Sequence, residues 1–291
     1  MNIKFLLFSL FIITNYFNSF AKPLFVTTSY PIASIIKEIT GNYADVVSLV
    51  PPGASPHTFA PIPSDVAKAQ TASAFFYVSP ELDGWAANLP TNNKIKIMDI
   101  LPMEFHQYFK GENSNSNLNT NDKVEDPHFW TDPITVKALI RKLTEMLVKY
   151  DKPNEKTYYE NAQIFDKRLE LFNWQIEKIL DPKKGKPVFL FHPSFLYFLK
   201  RYGLVFGGVV EVDPGVEPSS RHTYELVKNI KKSGINVIFA EPQSPLSSAR
   251  VIAESAGVKL DILDDLGGIQ GRLNYFDLIM YNVKVLQKEL K

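Results

Sequence analysis

Short apolar runs rich in β-branched and aromatic residues alternate along this chain with segments of helical periodicity. In the first half, the pattern predicts strands at 24–28, 46–50, 74–78 and 95–98, the last being the weakest. The alternation then restarts, with strands predicted at 188–191, 206–211, 236–240 and 258–262. Strands that alternate with helices favour parallel βα units. The predicted fold class is therefore α/β, with two βα-alternating lobes that contain parallel sheets.

Residues 154–180 show a different pattern between these halves. Apolar residues recur there at spacings of four and three, at Tyr158, Ala162, Phe165, Leu169, Phe172 and Ile176. This spacing predicts one stripe on a helix, which at 1.5 Å per residue would be roughly 40 Å long. We predict a rigid linker helix at 152–181 that joins an N-terminal lobe at 22–151 to a C-terminal lobe at 182–291. An ordinary surface helix within one domain is the alternative.

The first 21 residues have the pattern of an export signal. Lys4 precedes an apolar stretch from Phe5 to Ile13, and Ser19-Phe20-Ala21 forms a small-x-small cleavage site. The apolar stretch is too short for a typical membrane span, although an uncleaved anchor or a buried first strand is the alternative. We therefore expect residues 1–21 to be a signal peptide, with the mature protein soluble in a periplasm and not inserted in the membrane.

The charge balance and the absence of cysteine exclude several classes of protein. The chain has 32 basic and 31 acidic residues, whereas a nucleic-acid-binding protein should show a basic excess. It has no cysteine, which excludes thiolate metal sites, disulfides and a lipid-modified cysteine after the signal.

Three histidines lie beside prolines, in Ser55-Pro56-His57, Asp126-Pro127-His128 and Phe191-His192-Pro193. An acidic pair, Asp264-Asp265, follows the last predicted strand. Each of these positions lies where a strand or loop leads into a helix, and ligands of α/β sheets bind in such loops. Imidazole and carboxylate groups are ligands that zinc prefers. We therefore predict a metal site between the lobes, although each histidine taken alone is more typical of a loop residue with one hydrogen bond.

Two further histidines and one polar segment fall outside this pattern. His106 is expected to be solvated, and His222 to cap a helix or lie on the surface. The segment 111–126 is rich in Asn and Ser, a composition typical of mobile loops. We expect residues 112–125 to be dispensable for the metal site.

The motifs around the three histidines resemble those of zinc-uptake substrate-binding proteins of ABC transporters (ZnuA-like, within the TroA-like metal-binding family). The resemblance covers the mature chain in order, through the runs 49–59, 126–133 and 191–192, with 239–243 and 263–267 as its C-terminal part. It implies two α/β lobes joined by a long helix, with the metal between them. It also implies that His57, His128, His192 and Asp264 are the metal ligands. Asp265 stands where relatives often carry proline, so which carboxylate faces the metal is open.

The resemblance implies capture of Zn²⁺ and its delivery to an ABC-type permease in the inner membrane, by a protein that is not an enzyme and that we expect to be a monomer. Three imidazole ligands favour zinc over manganese. Manganese or iron specificity within the same family is the first alternative. A zinc-dependent hydrolase with Glu241 as its base is another, and an adhesin-like protein with a structural metal is a third. From the imidazole pKa of about 6.5, metal release is expected below roughly pH 6.

Overall fold

The computed structural model describes residues 21–110, 123–211 and 219–291. The predicted signal peptide, apart from Ala21, and most of the polar segment therefore lie outside the described residues. Within the described ranges, every helix is too short or too polar to span a membrane.

The β-strands are short, at three to five residues each. In chain order they are β1 Leu24–Thr27, β2 Asp45–Ser48, β3 Ala74–Tyr77, β4 Lys94–Lys96, β5 Tyr108–Lys110, β6 Lys123–Glu125, β7 Pro187–Leu190, β8 Val205–Val209, β9 Val237–Ala240 and β10 Lys259–Ile262.

The α-helices lie between and after these strands, with short 3₁₀ turns at several junctions. They are α1 Tyr30–Thr40, α2 Pro63–Thr71, α3 Pro80–Asp83, α4 Ile97–Ile100, α5 Pro133–Tyr150, α6 Glu155–Leu180, α7 Leu196–Arg201, α8 Ser220–Ser233, α9 Leu246–Ala256 and α10 Tyr275–Glu289. The turn Phe129–Thr131, which leads into α5, is one of the 3₁₀ segments.

Two four-stranded parallel sheets form the two lobes, which confirms the predicted fold class. The strand orders are β2-β1-β3-β4 and β10-β9-β7-β8. Read from opposite edges, both sheets have the order second, first, third, fourth within their own lobe. Because every strand of a sheet runs in the same direction, the loops that follow the strands meet at one edge.

The long helix α6 links the lobes, as the apolar spacing predicts. Its buried residues are Tyr158, Ala162, Phe165, Leu169, Phe172, Ile176 and Leu180, which include all six residues of the predicted stripe. These side chains belong to a continuous apolar cluster that also contains residues of β1, α5 and α10. The linker is therefore packed into the core along its length, which stabilises one arrangement of the lobes.

The structure differs from the sequence analysis in three places. The strand predicted at 95–98 ends at Lys96, and residues 97–100 form the single helical turn α4. The antiparallel hairpin β5–β6 was not predicted. The described end of the polar segment is ordered rather than loose, because residues 123–125 pair with 108–110 and Asp126 is buried.

Candidate metal site

The three predicted histidines lie together between the lobes. His57 follows β2, His192 directly follows β7, and His128 precedes the Phe129–Thr131 turn. One ring nitrogen from each residue lies within 4.8 Å of the other two. The ring centroids are 5.0 to 5.5 Å apart. Residues 135 positions apart in sequence are thus close enough to share one ion.

Acceptors behind the rings orient His57 and His128. His57 Nδ1 lies 3.1 Å from the carbonyl oxygen of Glu81, and His128 Nδ1 lies 2.8 Å from Asp126 Oδ1. A carbonyl and a carboxylate only accept, so each Nδ1 carries the proton and donates it. Each Nε2 is then unprotonated, and its lone pair faces the centre of the cluster. Such contacts fix the tautomer and orientation of metal-binding histidines.

The two Nε2 atoms lie only 3.4 Å apart. Because both are acceptors, this contact is not a hydrogen bond, and the two lone pairs repel each other. A cation between them would turn that repulsion into two favourable contacts.

His192 has a different environment from the other two histidines. Its side chain is buried, and neither ring nitrogen has a hydrogen-bond partner among the described residues. An unpaired buried polar group costs free energy. A metal ion bound by one of these nitrogens would remove part of that cost, so the donor set fits a metal.

Desolvation lowers the pKa of two imidazoles of the site, those of His57 and His192. Desolvation, with a smaller electrostatic contribution from the neighbouring His128, lowers the pKa of His57 to about 3. Desolvation also lowers the pKa of His192 well below its usual value, with smaller contributions from His128 and His57. Neutral imidazole is the form that binds metal, so these two histidines need not lose a proton at neutral pH.

Asp264, the fourth predicted ligand, is not in the histidine group. Its Oδ1 accepts the backbone N–H groups of Leu266 and Gly267, at 3.0 and 2.9 Å. Its Oδ2 lies 2.9 Å from Arg272 Nη1. The next residue, Asp265, lines the same small cavity as His57 and His192.

This cavity has a volume of about 80 Å³, whereas pockets for small organic ligands usually measure roughly 300–1,000 Å³. Its polar wall comes largely from the C-terminal lobe, through Glu211, Glu241, Gln243, Ser244 and Asp265. The size suits an ion with at most a few waters.

Glu241 is the most buried carboxyl of this wall. Ser194 Oγ and Ser244 Oγ donate to its two oxygens, at 3.3 and 2.7 Å. Desolvation, followed by the charge of Asp265, raises the pKa of Glu241 to about 8. The wall therefore holds more carboxyl groups than the sequence pattern predicted. Two features of the sequence could have pointed to carboxyl groups near the site. Asp126 lies two residues before His128, and Glu241 directly follows β9.

Hydrogen bonds and an ion pair join the lobes beside the site. Trp130 Nε1 donates to the carbonyl oxygen of Asp265, at 2.7 Å, and Tyr275 Oη donates to the carbonyl oxygen of Trp130, at 2.9 Å. Arg201 of α7 contacts both carboxylate oxygens of Asp132, at 2.8 to 3.0 Å. The turn that positions His128 is thus held by the opposite lobe.

The other two histidines lie outside the cluster. The His106 ring is buried against Glu125, with Nδ1 and Oε1 2.5 Å apart, so the expectation of a solvated side chain is wrong. His222 lies in the first turn of α8, where its backbone N–H donates to Ser219 Oγ at 3.2 Å. Ser219, and not His222, is the N-cap residue of α8.

The fold and the site together define a two-lobed metal-binding protein. The family model described as zinc-uptake complex component A, periplasmic, matches residues 25–289. The chain belongs to this family.

Individual relatives are similar to the chain at moderate identity. The zinc-binding lipoprotein AdcA of Streptococcus pneumoniae serotype 4 is 28% identical over 276 residues, which cover 90% of this chain and 55% of AdcA. The chain thus spans about half the length of that relative. The high-affinity zinc uptake system protein ZnuA of Bacillus subtilis is 26% identical over 279 residues, with 91% and 86% of the two chains covered.

A solved structure agrees with the fold. A Zn(II)-bound variant of AdcAII of Streptococcus pneumoniae superposes with a TM-score of 0.79 at 27% identity, covering 93% of this chain and 99% of that chain.

Proposed function

We propose that this protein captures Zn²⁺ outside the cytoplasm and delivers it to an ABC-type permease. His57, His128 and His192 are the proposed ligands, with a carboxylate or water completing the shell. The observation that carries the proposal is the convergence of three imidazoles, those of His128 and His192 buried and that of His57 partly buried, with the Nε2 atoms of His57 and His128 3.4 Å apart. Membership of a zinc-uptake family supports it.

Zinc is the proposed ion because all three clustered ligands are nitrogens. Manganese and iron(II) bind more weakly to imidazole than zinc does, and manganese prefers oxygen ligands. The carboxyl groups of the wall hold hydrogen bonds of their own, which reduces their availability as hard ligands.

The structure gives little support to the hydrolase alternative. A hydrolase needs a base beside the metal-bound water and room for its substrate. Glu241 accepts hydrogen bonds from two serines, and burial favours its protonated form. The cavity of about 80 Å³ is also small for an organic substrate. Binding without catalysis fits these features better.

The proposed location is a periplasm, after removal of residues 1–21. The family is described as periplasmic, which supports this location, as does the signal pattern in the sequence. We also propose the boundaries 22–151, 152–181 and 182–291 for the N-terminal lobe, linker and C-terminal lobe, and a monomeric state. Docking on a permease would use surfaces from both lobes near the mouth of the site.

The lobes are proposed to move little when the ion binds. The α6 side chains lie in a cluster shared by both lobes, and Tyr30 Oη donates across the lobes to the carbonyl oxygen of Leu273, at 2.8 Å. Gly268 has a φ of 81°, and a Cβ there would lie 2.9 Å from Pro52 Cγ. A close approach of this kind supports a fixed arrangement.

Metal analysis of the natively purified protein, followed by calorimetric titration of the chelated form, tests the proposal. We expect one zinc per chain and tighter binding of zinc than of manganese. Small-angle scattering of the apo and zinc-loaded forms should give similar profiles. Tighter binding of manganese, or hydrolytic activity that depends on zinc and on Glu241, would contradict the proposal.

A further inference from the structure

The two adjacent carboxylates Asp264 and Asp265 have opposite electrostatic surroundings. Asp264 forms an ion pair, since its Oδ2 lies 2.9 Å from Arg272 Nη1, in a geometry that gives neither atom a hydrogen bond. The Arg272 guanidinium is itself fixed by packing over the Tyr281 ring, 4.1 Å from the centroid. Asp264 and Arg272 therefore form a nearly neutral pair.

Both the backbone and the side chain of Asp264 make hydrogen bonds that stabilise the turn after β10. Its backbone N–H donates to Asn282 Oδ1 at 2.7 Å, and its carbonyl oxygen accepts from Asn282 Nδ2 at 2.6 Å. Its Oδ1 accepts two further backbone N–H groups, those of Leu266 and Gly267. A rotation of the Asp264 side chain toward the histidines would break the two hydrogen bonds that Oδ1 accepts.

Asp265 lacks a cationic partner of this kind. Its Oδ1 accepts from Gln243 Nε2 at 2.7 Å, and an amide carries no charge. The described ion pairs do not include Asp265. The residue is only 3% exposed, so water screens its charge weakly.

Asp265 also faces the histidines. It lines the cavity with His57 and His192, and its carbonyl oxygen accepts from Trp130 Nε1, two residues after His128. The group of possible ligand atoms that all lie within 4.8 Å of one another contains the three histidine nitrogens but no oxygen of Asp265. The charge can act on an ion there directly or through a bridging water.

A divalent ion held by three neutral imidazoles would leave two positive charges in a buried site. Such a charge is costly unless an anion lies close by. Asp264 cannot supply a net charge because Arg272 offsets it, whereas Asp265 can.

We propose that Asp265, and not Asp264, is the carboxylate that balances the charge of the bound metal ion. Gln243 positions it, and Arg272 holds Asp264 out of the site. The inference rests on the proposed zinc-binding function. It assigns the role to the residue beside the one that the family resemblance implies.

Zinc titration of the chelated full-length protein with Asp265→Asn tests this assignment. Asparagine keeps the size of the side chain and the acceptor for Gln243 but removes the charge. We expect zinc affinity to fall by about 10- to 100-fold, the range for groups that support metal ligands, with no loss of thermal stability in the apo form. Asp265→Glu, which restores the charge, should recover much of the affinity.

Asp264→Asn is the matched control. It should lower the apo melting temperature, because it weakens the Arg272 pair, and leave zinc affinity close to that of the wild type. Wild-type affinity in Asp265→Asn would overturn the inference while the proposed function stands. So would a loss of affinity in Asp264→Asn at an unchanged apo melting temperature. Absence of zinc binding by the wild-type protein would instead reject the proposed function, and the inference with it.

Discussion

The two lobes share one strand order but contribute different chemistry to the metal site. The N-terminal lobe supplies His57 and His128, whose Nδ1 atoms are each held by an acceptor. The C-terminal lobe supplies His192, which is buried without a hydrogen-bond partner among the described residues, and most of the carboxyl groups of the cavity wall. One half of the site is therefore oriented in advance, while the other provides a less constrained ligand and the carboxyl groups that line the cavity.

This difference shows that similar topology does not fix similar function in the two halves. Both sheets deliver side chains to the edge where their strands end. What each side chain can do depends on the groups behind it, and these differ between the lobes. The predictions below test that contrast.

The largest effect is expected from the histidine of the C-terminal lobe. His192→Ala should weaken zinc binding by more than about 100-fold, because it removes a ligand rather than a group that orients one. Competition with a chromophoric chelator measures the affinity, and circular dichroism should show an intact apo fold. His222→Ala, in the same lobe but outside the cluster, should bind zinc like the wild type. If His192→Ala bound zinc with unchanged affinity, the C-terminal lobe would not supply a histidine ligand.

The anchoring of the N-terminal histidines should matter less than the ligands themselves. Asp126→Asn removes the charged acceptor behind His128 and should reduce zinc affinity by about 10- to 100-fold, nearer the lower limit because asparagine can still accept one hydrogen bond. The same chelator competition applies. Glu125→Gln is the control, since Glu125 contacts His106 instead. If both variants bound zinc with the same affinity, the contact of Asp126 with His128 would not contribute to binding, and the contrast between the two lobes would lose this support.

The ion pair that joins the lobes should contribute to stability more than to binding. Asp132 is 2% exposed on its side chain and Arg201 31%, so Arg201→Ala would leave a buried carboxylate without its cation. We expect the free energy of unfolding of the apo protein to fall by about 2 kcal/mol, less than for a fully buried pair because Arg201 is partly solvated. Denaturant titration measures the change.

The exposed pair of Lys142 and Glu145 provides the comparison for that measurement. These side chains are 56% and 30% exposed, and Lys142→Ala should change the free energy of unfolding by no more than about 0.5 kcal/mol. Equal effects for Lys142→Ala and Arg201→Ala would contradict a stabilising role for the contact between the lobes.

The smallest effect concerns pH, where the imidazoles and carboxyls of the site should act in opposite directions. His57 has a folded pKa of about 3 against 6.5 when unfolded, so acidification through this range protonates the unfolded chain first and lowers apo stability. Glu241 has a raised pKa of about 8 against 4.5. The folded state retains that proton longer, so stability falls as pH rises from 4.5 to 8.

Thermal unfolding of the apo protein, measured as a function of pH, tests both predicted changes: the loss of stability on acidification and the loss of stability as the pH rises. Glu241→Gln should flatten the decline on the alkaline side and melt higher than the wild type at pH 8. A variant whose melting curve follows the wild type at every pH would contradict the raised pKa of Glu241. The lowered pKa values of His57 and His192 also place zinc release at a lower pH than the pH 6 expected from free imidazole.

The sequence by itself determined the elements and the candidate ligands. Continuous apolar runs and the period-3.6 spacing of apolar residues are local properties, so most of the strands and the α6 stripe from Tyr158 to Ile176 could be read directly. The start of α5 is also set by local residues, because Asp132 Oδ1 accepts from the N–H of Ile134 and Pro133 occupies the first turn. The three histidines stood out because each followed a strand or preceded a helix.

Only the tertiary structure decided what surrounds those ligands. Asp264 contacts Arg272 and Asp265 contacts Gln243, and these two partners lie in different loops. The burial of His106 depends on a hairpin partner 19 residues away. Charge balance and burial arise from groups that are distant in sequence and close in space. For that reason, spacing along the chain could identify the imidazoles but could not assign the carboxylate.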